Sequence, residues 1–325
     1  MRRAFLIAVA VTFLLAGASW SAETFEKVGT VGAQFLKIGV GARGVAMGEA
    51  FVAIQDDATS TYWNPAGIAT ITGSRFTLNH GSWPAELSHE YASYVFSYGF
   101  IPGVIGVSAT VLQMDPMPET TEYRPDGTGY SFDAGSMAFA FTYARMLTDR
   151  FSFGASLKWI HEGLADYSGE TFAVDLGTIY DTGFRGIKIG MAFLNMGSGY
   201  KILSDGKESP MPVTFKVGAA MPLLEDPRQT LIGAAEFDHP PDGAERLNLG
   251  AEYVYKGFAE NLEVAARGGY RFNRDEEGIA AGFGIQFPFI RIGLENKPSI
   301  WTVDYCYSQM GLLDVSHKIS LGVGF

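Results

Sequence analysis

The chain has 325 residues, of which 18% are charged, 14% are aromatic and 40 are glycine. Soluble domains usually carry about 25% charged residues, and a net charge of −11 with no Lys/Arg cluster excludes a nucleic-acid partner. Beyond residue 20 no apolar run is long enough for a transmembrane helix. The length would hold two soluble domains, yet no linker divides it.

Residues 1–22 are expected to form a secretory signal peptide. Arg2 and Arg3 give the positive start, Ala4 to Leu15 the apolar stretch, and small residues from Ala16 to Ser19 precede a cut between Ala18 and Ala22. No cysteine lies nearby to carry a lipoprotein anchor.

Residues 23–72 form a leader and plug whose pattern differs from everything after it. Phe35, Leu36, Ile38 and Val40 predict a short extended stretch. Val45 to Ile54 predicts a short helix with Met47 and Phe51 one turn apart. Gly39-Val40-Gly41-Ala42-Arg43-Gly44 matches G-x-G-x-x-G, but no βαβ unit surrounds it, so tight backbone packing is the better reading. Asp56 to Ser60 predicts a turn or helix start. Asn64-Pro65-Ala66-Gly67 follows the same grammar, with Asn64 as cap and Pro65 at a first helical position. Asp56 and Asp57 lack the further spaced oxygens of a calcium loop, so neither metal nor cofactor is expected.

From residue 73 to 325 the chain alternates with period 2, strand after strand. Arg75 to Ser82 and Tyr91 to Phe100 begin the series, and His317 to Phe325 ends it. Three long links interrupt it, at Gln113–Gly129, Glu162–Glu170 and Gly197–Pro212. One face of each strand is apolar with aromatics near its ends. The other is small or charged, as at Lys158, Asp175, Lys216, Glu236, Glu252 and Arg267. These features predict an all-β fold: a transmembrane outer-membrane β-barrel of about 14 antiparallel strands of about 10 residues, with an N-terminal plug segment. An even count returns both barrel ends to one side. A salt-bridged interior holding the plug is expected, with a polar conduit as the alternative. Phe325, on the face of Ile319, Leu321 and Val323, is the candidate barrel-terminal assembly signal.

Cys306 alternates with Tyr305 and Tyr307 and is expected to be a small inward residue. The five histidines, His80, His89, His161, His239 and His317, show no metal spacing and are expected at interfaces or in the lumen. No Ser/His/acid set has suggestive spacing, so an enzyme is not expected.

The stretch GARGVAMGEAFVAIQDDATSTYWNPAG resembles the N-terminal signature of the PorV/PorQ family of outer-membrane proteins, which is related to the FadL type of long-chain fatty acid channel. The resemblance covers about thirty residues and assigns a plug motif to Gly41, Arg43, Gly44, Met47, Gly48, Asp56, Asp57, Tyr62, Trp63, Asn64, Pro65 and Gly67. Glu49 departs from it, standing where members more often carry glycine. The resemblance implies a barrel in outer-membrane lipid that docks or shuttles exported proteins for a type IX-like secretion system; the Gln113–Gly129 and Gly197–Pro212 loops, long and proline-rich, are the contact candidates. The alternative is a FadL-like channel for hydrophobic ligands, with an apolar pocket at Phe35, Met47, Phe51, Tyr62 and Trp63.

Overall fold

The computed structural model describes residues 29–99, 102–203, 206–259, 262–274, 276–291 and 298–325. The expected signal peptide, the first residues of the leader and Phe100 lie outside the described residues.

Period-2 alternation leaves every strand with one apolar and one polar face, and fourteen such strands can hide all their edges only by closing. They do so as β1 (Ser74–Trp83), β2 (Leu87–Phe96), β3 (Val104–Gln113), β6 (Ala134–Thr148), β7 (Phe151–Leu164), β8 (Tyr167–Asp181), β9 (Lys188–Gly197), β10 (Thr214–Asp226), β11 (Gln229–His239), β12 (Arg246–Ala259), β13 (Leu262–Phe272), β14 (Ile279–Arg291), β15 (Pro298–Gln309) and β16 (Val315–Gly324). A two-residue ribbon, β4 (Met117–Pro118) with β5 (Ser131–Phe132), stands in the link between β3 and β6. Each barrel strand pairs antiparallel with its neighbour, and β1 pairs with β16. Ser74 and Phe325 exchange backbone bonds of 2.7 and 2.9 Å at the seam. Both barrel ends therefore meet on one rim, called the near end here, opposite the far end. Closure matters because an edge left in lipid would strand backbone groups at several kcal/mol each.

The outward face is apolar and uncovered. Phe139, Phe141, Leu157 and Phe283 are each at least half exposed, an arrangement suited to lipid and not to water. Aromatic pairs mark two levels: Phe96–Tyr98 and Tyr255–Phe258 near one end, Tyr270–Phe272 and Tyr305–His317 near the other. This is the architecture of an outer-membrane β-barrel. His80, His161, His239 and His317 stand on this outer side towards the far end, while His89 is buried in the bore. Cys306 faces inward and is buried, as its alternation predicts.

Two expectations about the strands are corrected. The link at Glu162–Glu170 is only Ala165–Asp166, because β7 and β8 continue pairing from Ile160↔Thr171 to Leu164↔Tyr167. Polar residues there raise the ladder rather than end it. β2 runs from Leu87 to Phe96 rather than from Tyr91 to Phe100. Between Val174 and Leu176 the β8/β9 register shifts, and the Asp175 carboxylate accepts the Asn195 N–H that leaves the ladder, at 2.7 Å.

The N-terminal segment lies inside the barrel. It contains α1 (Ala42–Ala46), α2 (Ser60–Trp63) and two 3₁₀ turns, Gln34–Lys37 and Pro65–Ile68. Of the extended stretch expected over Phe35 to Val40, Phe35 to Lys37 belong to a 3₁₀ turn entered through Ala33, whose φ is 47°, and the backbone is extended at Ile38. The helix expected over Val45 to Ile54 stops at Ala46, because Gly48 (φ 62°) and Glu49 (φ 65°) turn the chain. Asn64 caps the second 3₁₀ turn with Pro65 at its first position, as the sequence predicts.

Candidate functional site

Among the polar attachments that hold the plug in the bore, five lie around Arg43, Glu49, Glu236, Asn64 and Gly39. The first is Arg43. Gly41, at φ 75°, leads into α1 and Arg43 projects from it. Its Nε and Nη2 donate to both Glu252 oxygens at 2.8 and 2.7 Å, and Nη1 donates to Asp57 Oδ2 at 2.9 Å. Such two-pronged pairs fix geometry as well as charge. Glu252 also accepts from Arg267, which donates to Asp304, both at 2.6 Å. Asp57 Oδ1 accepts from the backbone and hydroxyl of Thr59 and so starts α2. Burial pushes the Asp57 carboxyl up, but Arg43 and Thr59 override it and hold it below its ordinary value.

The second attachment is Glu49. Its carboxylate accepts from Arg271 at 3.3 Å and Arg274 at 2.6 Å, and Arg274 also donates to Glu277. Burial opposes its ionisation, yet Arg274 and Arg271, with Lys216 and Lys318, lower it from 4.5 to about 2. A depressed carboxylate contributes stability that is present above its unfolded value and lost as pH falls through the folded one. Plug seating should therefore weaken as pH falls from 4.5 towards 2, and Glu49→Gln should abolish that part of the acid sensitivity. Amide exchange of residues 47–52 across this range checks it. Identical acid profiles for the two proteins would contradict it.

The third is Glu236, whose Oε2 accepts the Phe51 and Val52 N–H groups at 2.8 and 2.7 Å while Oε1 takes Lys216 at 2.7 Å. The fourth is Asn64. Its Nδ2 donates to Val52 O at 2.7 Å and to the wall carbonyls of Thr178 (3.2 Å) and Met191 (3.4 Å), and its Oδ1 accepts the Ala66 N–H. The fifth lies on the opposite wall, where Lys318 Nζ donates to Gly39 O at 2.8 Å and Ser320 Oγ accepts the Ala42 N–H at 2.7 Å.

The wall makes room for this backbone with inward glycines. A Cβ on Gly269 would stand 2.1 Å from Gly48 N, one on Gly250 2.2 Å from Met47 O, and one on Gly190 2.2 Å from Val52 O. These residues were not legible as a site. Their signal is glycine on the inward parity of a strand, which looks the same as an ordinary small lumenal residue.

The plug motif is thus partly brought together. Arg43 meets Asp57, Gly44 lies against Trp63, and Tyr62 stacks edge-on to Trp63 at 4.9 Å. Met47, Phe51, Tyr62 and Trp63 share one buried cluster. Gly48 presses its backbone to Leu249 and Tyr270, Pro65 lies against Gly154, and Gly67 lies under Ser60. Asp56 stands apart, bonded to Thr70. Phe325 is at the near-end seam, half exposed.

The apolar pocket expected at Phe35, Met47, Phe51, Tyr62 and Trp63 is two separate packed places. Phe35, Leu36 and Ile38 belong to a far-end cluster with Ile160, Tyr200 and Met211, against which Trp83 and Leu112 pack. The open space is elsewhere. A cavity of about 520 Å³ runs up from the near end beside the plug, lined by Arg43, Asp57, Glu252, Arg267 and Asp304, and reaches Gly41, Asn79 and Ser320. Gly41 lines this cavity, while Gly39 packs against Glu49 and Trp63 and its carbonyl accepts from Lys318.

No family model matches the sequence, and no curated protein matches it. Solved structures do match. The toluene transporter TbuX of Ralstonia pickettii aligns with a TM-score of 0.59 at 12% identity, over 88% of this chain and 97% of its own. The toluene transporter TodX of Pseudomonas putida gives 0.58 at 13%, over 88% and 97%. A FadL homologue of Pseudomonas aeruginosa gives 0.56 at 11%, over 89% and 98%. The fold is FadL-like. At these identities the likeness is one of fold, and it is to transport channels rather than enzymes. The PorV/PorQ resemblance has no family match beneath it.

Proposed function

We propose that this protein is an outer-membrane channel for hydrophobic compounds, with its far end at the cell surface and its near end in the periplasm. One observation carries the reading: beside the plug the bore holds a cavity of about 520 Å³ that opens at the near end, and an apolar cluster lies at the far end. The FadL-like fold, shared with two toluene transporters, supports it. A hydrophobic solute would replace Phe35, Leu36 and Ile38 at the far end and pass once Gly39 to Gly41 yields. Residues 1–22 would export the chain, and Phe325 would mark it for barrel assembly. The test is uptake of labelled toluene and 1-dodecanol by a Gram-negative host lacking its own hydrophobic channels. Uptake above that of cells with an empty vector is expected. Uptake equal to theirs would end the proposal.

A second reading is favoured by the far-end link between β3 and β6, where Tyr123 is 92% and Tyr130 is 75% exposed. Exposed aromatics on a projecting link suit a protein partner, and the PorV/PorQ resemblance implies exported cargo or secretion-system proteins. Deleting residues 114–129 should then abolish co-purification of a partner. Unchanged recovery would remove this reading.

A further inference from the structure

Four arginines of the bore, Arg43, Arg267, Arg271 and Arg274, each meet a carboxylate at 2.6 to 3.3 Å. Three arginines outside it do not. Arg145, Arg150 and Arg185 are exposed at the near end and, among the described residues, meet no carboxylate within ion-pair distance. Arg145 stands on the lipid-facing parity of β6, opposite the outward Phe153 of β7. An arginine there destabilises a barrel steeply at mid-bilayer and little near an interface, so its long side chain reaches for the head groups. Its backbone is two residues, about 7 Å, from the Phe151 row at the start of β7, within a side chain's length of the rim.

Two near-end turns bring the other two arginines together. The Arg150 carbonyl accepts the Asp181 N–H at 2.8 Å, which ties the β6–β7 turn to the turn at 182–187 between β8 and β9. The Arg150 guanidinium lies over Gly183, where a Cβ would stand 2.6 Å from Nη1 and 3.0 Å from Nη2. Positive φ at Gly183, Arg185 and Gly186 curls that turn. It carries Phe184, 61% exposed, with the Arg185 guanidinium 5.4 Å from the ring centre. Two carboxylates share this corner, Asp149 and Asp181, and Asp181 Oδ1 accepts the Gly183 N–H at 2.8 Å. Exposed Leu147, Phe153 and Tyr180 make the wall above it apolar. The outer wall is built differently at the far end. There His80, His161 and His239 each stand beside a glutamate, Glu90, Glu170 and Glu245.

We propose that Arg145, Arg150 and Arg185 form a binding site for the phosphate of an anionic phospholipid in the near-end leaflet. Phosphate oxygens match the paired N–H groups of a guanidinium. Phe184 enters the interface beside the head group, and an acyl chain lies along the wall at Phe153 and Leu157. A zwitterionic head group brings its own ammonium, which the same guanidiniums repel, so the site selects the anionic lipid. The inference requires only that the barrel stand in lipid, whatever the bore transports.

The test reconstitutes the mature barrel in vesicles of equal parts phosphatidylglycerol and phosphatidylethanolamine, extracts it in mild detergent and counts the retained lipids by native mass spectrometry. The wild type should retain phosphatidylglycerol over phosphatidylethanolamine by about tenfold or more. The triple variant Arg145→Gln, Arg150→Gln, Arg185→Gln should lose that preference, and the matching triple lysine variant should keep a preference, which separates lost charge from lost folding. Arg228→Gln removes a cation from a different near-end turn and should change nothing. A wild type without preference, equal preference in the wild type and the triple glutamine variant, or no preference in the lysine variant overturns the proposal. So does a loss in Arg228→Gln as large as in the triple glutamine variant, which would mark diffuse charge and not a site. Inorganic phosphate titrated into the detergent-solubilised barrel should not distinguish the wild type from the triple glutamine variant. A difference there would give the arginines to a free anion and overturn the lipid.

Discussion

Gly269→Val should expel the plug from the wall while leaving the barrel standing. The new Cβ would sit 2.1 Å from Gly48 N and 2.3 Å from Met47 C, where ordinary contact begins at 3.4 Å. Both neighbours are backbone, so no side chain can swing aside. Residues 47–52 must move, and with them Glu49 leaves Arg271 and Arg274, and the Phe51 and Val52 N–H groups leave Glu236. Removing one partner of a buried ion pair typically costs about 3–5 kcal/mol. Valine itself favours a strand, and residue 269 keeps its partners Gly250 and Ala280. The expected result is loss of amide protection over residues 42–52 and a large rise in single-channel conductance in planar bilayers. Unaltered protection of that segment would show that the plug does not rest on this wall.

Asn64→Ala should have the second-largest effect, at the opposite side of the plug. Asn64 is fully buried, caps the turn at Pro65 and ties Val52 to the carbonyls of Thr178 and Met191. Its amide is the link between two plug segments and the β8–β9 wall. A buried group left unpaired costs about 1–3 kcal/mol, and the Val52 carbonyl and Ala66 N–H both lose a partner, so about 2–6 kcal/mol of plug stability is at stake. Asn64→Asp is the informative companion, because it keeps the acceptor for Ala66 N–H and loses the donor. Thermal release of the plug, followed by exchange at residues 52 and 66, should come at a lower temperature in Asn64→Ala than in the wild type, and lower again in Asn64→Asp, whose buried carboxylate oxygen would face three carbonyls. A transition in Asn64→Ala at the wild-type temperature would remove Asn64 from the structural account.

Glu49 shows how a residue at a positive φ can be held by partners distant in the chain. Glycine would suit the φ of 65° there. Glutamate accepts that backbone strain and gains Arg271 and Arg274 as partners. Neither arginine is near residue 49 in the chain, so the compensation could not be seen from the local sequence.

What the chain determined by itself was everything that depends on parity. Period-2 alternation assigned Lys158, Glu236, Glu252 and Lys318 to the bore and Phe139, Leu157 and Phe283 to the outside, because neighbouring side chains in a strand must point to opposite faces. Strand number, the common rim of both barrel ends and the cap at Asn64 follow from equally local chemistry. Only the tertiary structure decided which charges meet, which inward glycines lie against plug backbone, and where the bore stays open beside the plug. Those facts join residues such as Arg43 and Glu252, more than two hundred positions apart. Such distances are set by closing the barrel around the plug, a step no local periodicity records.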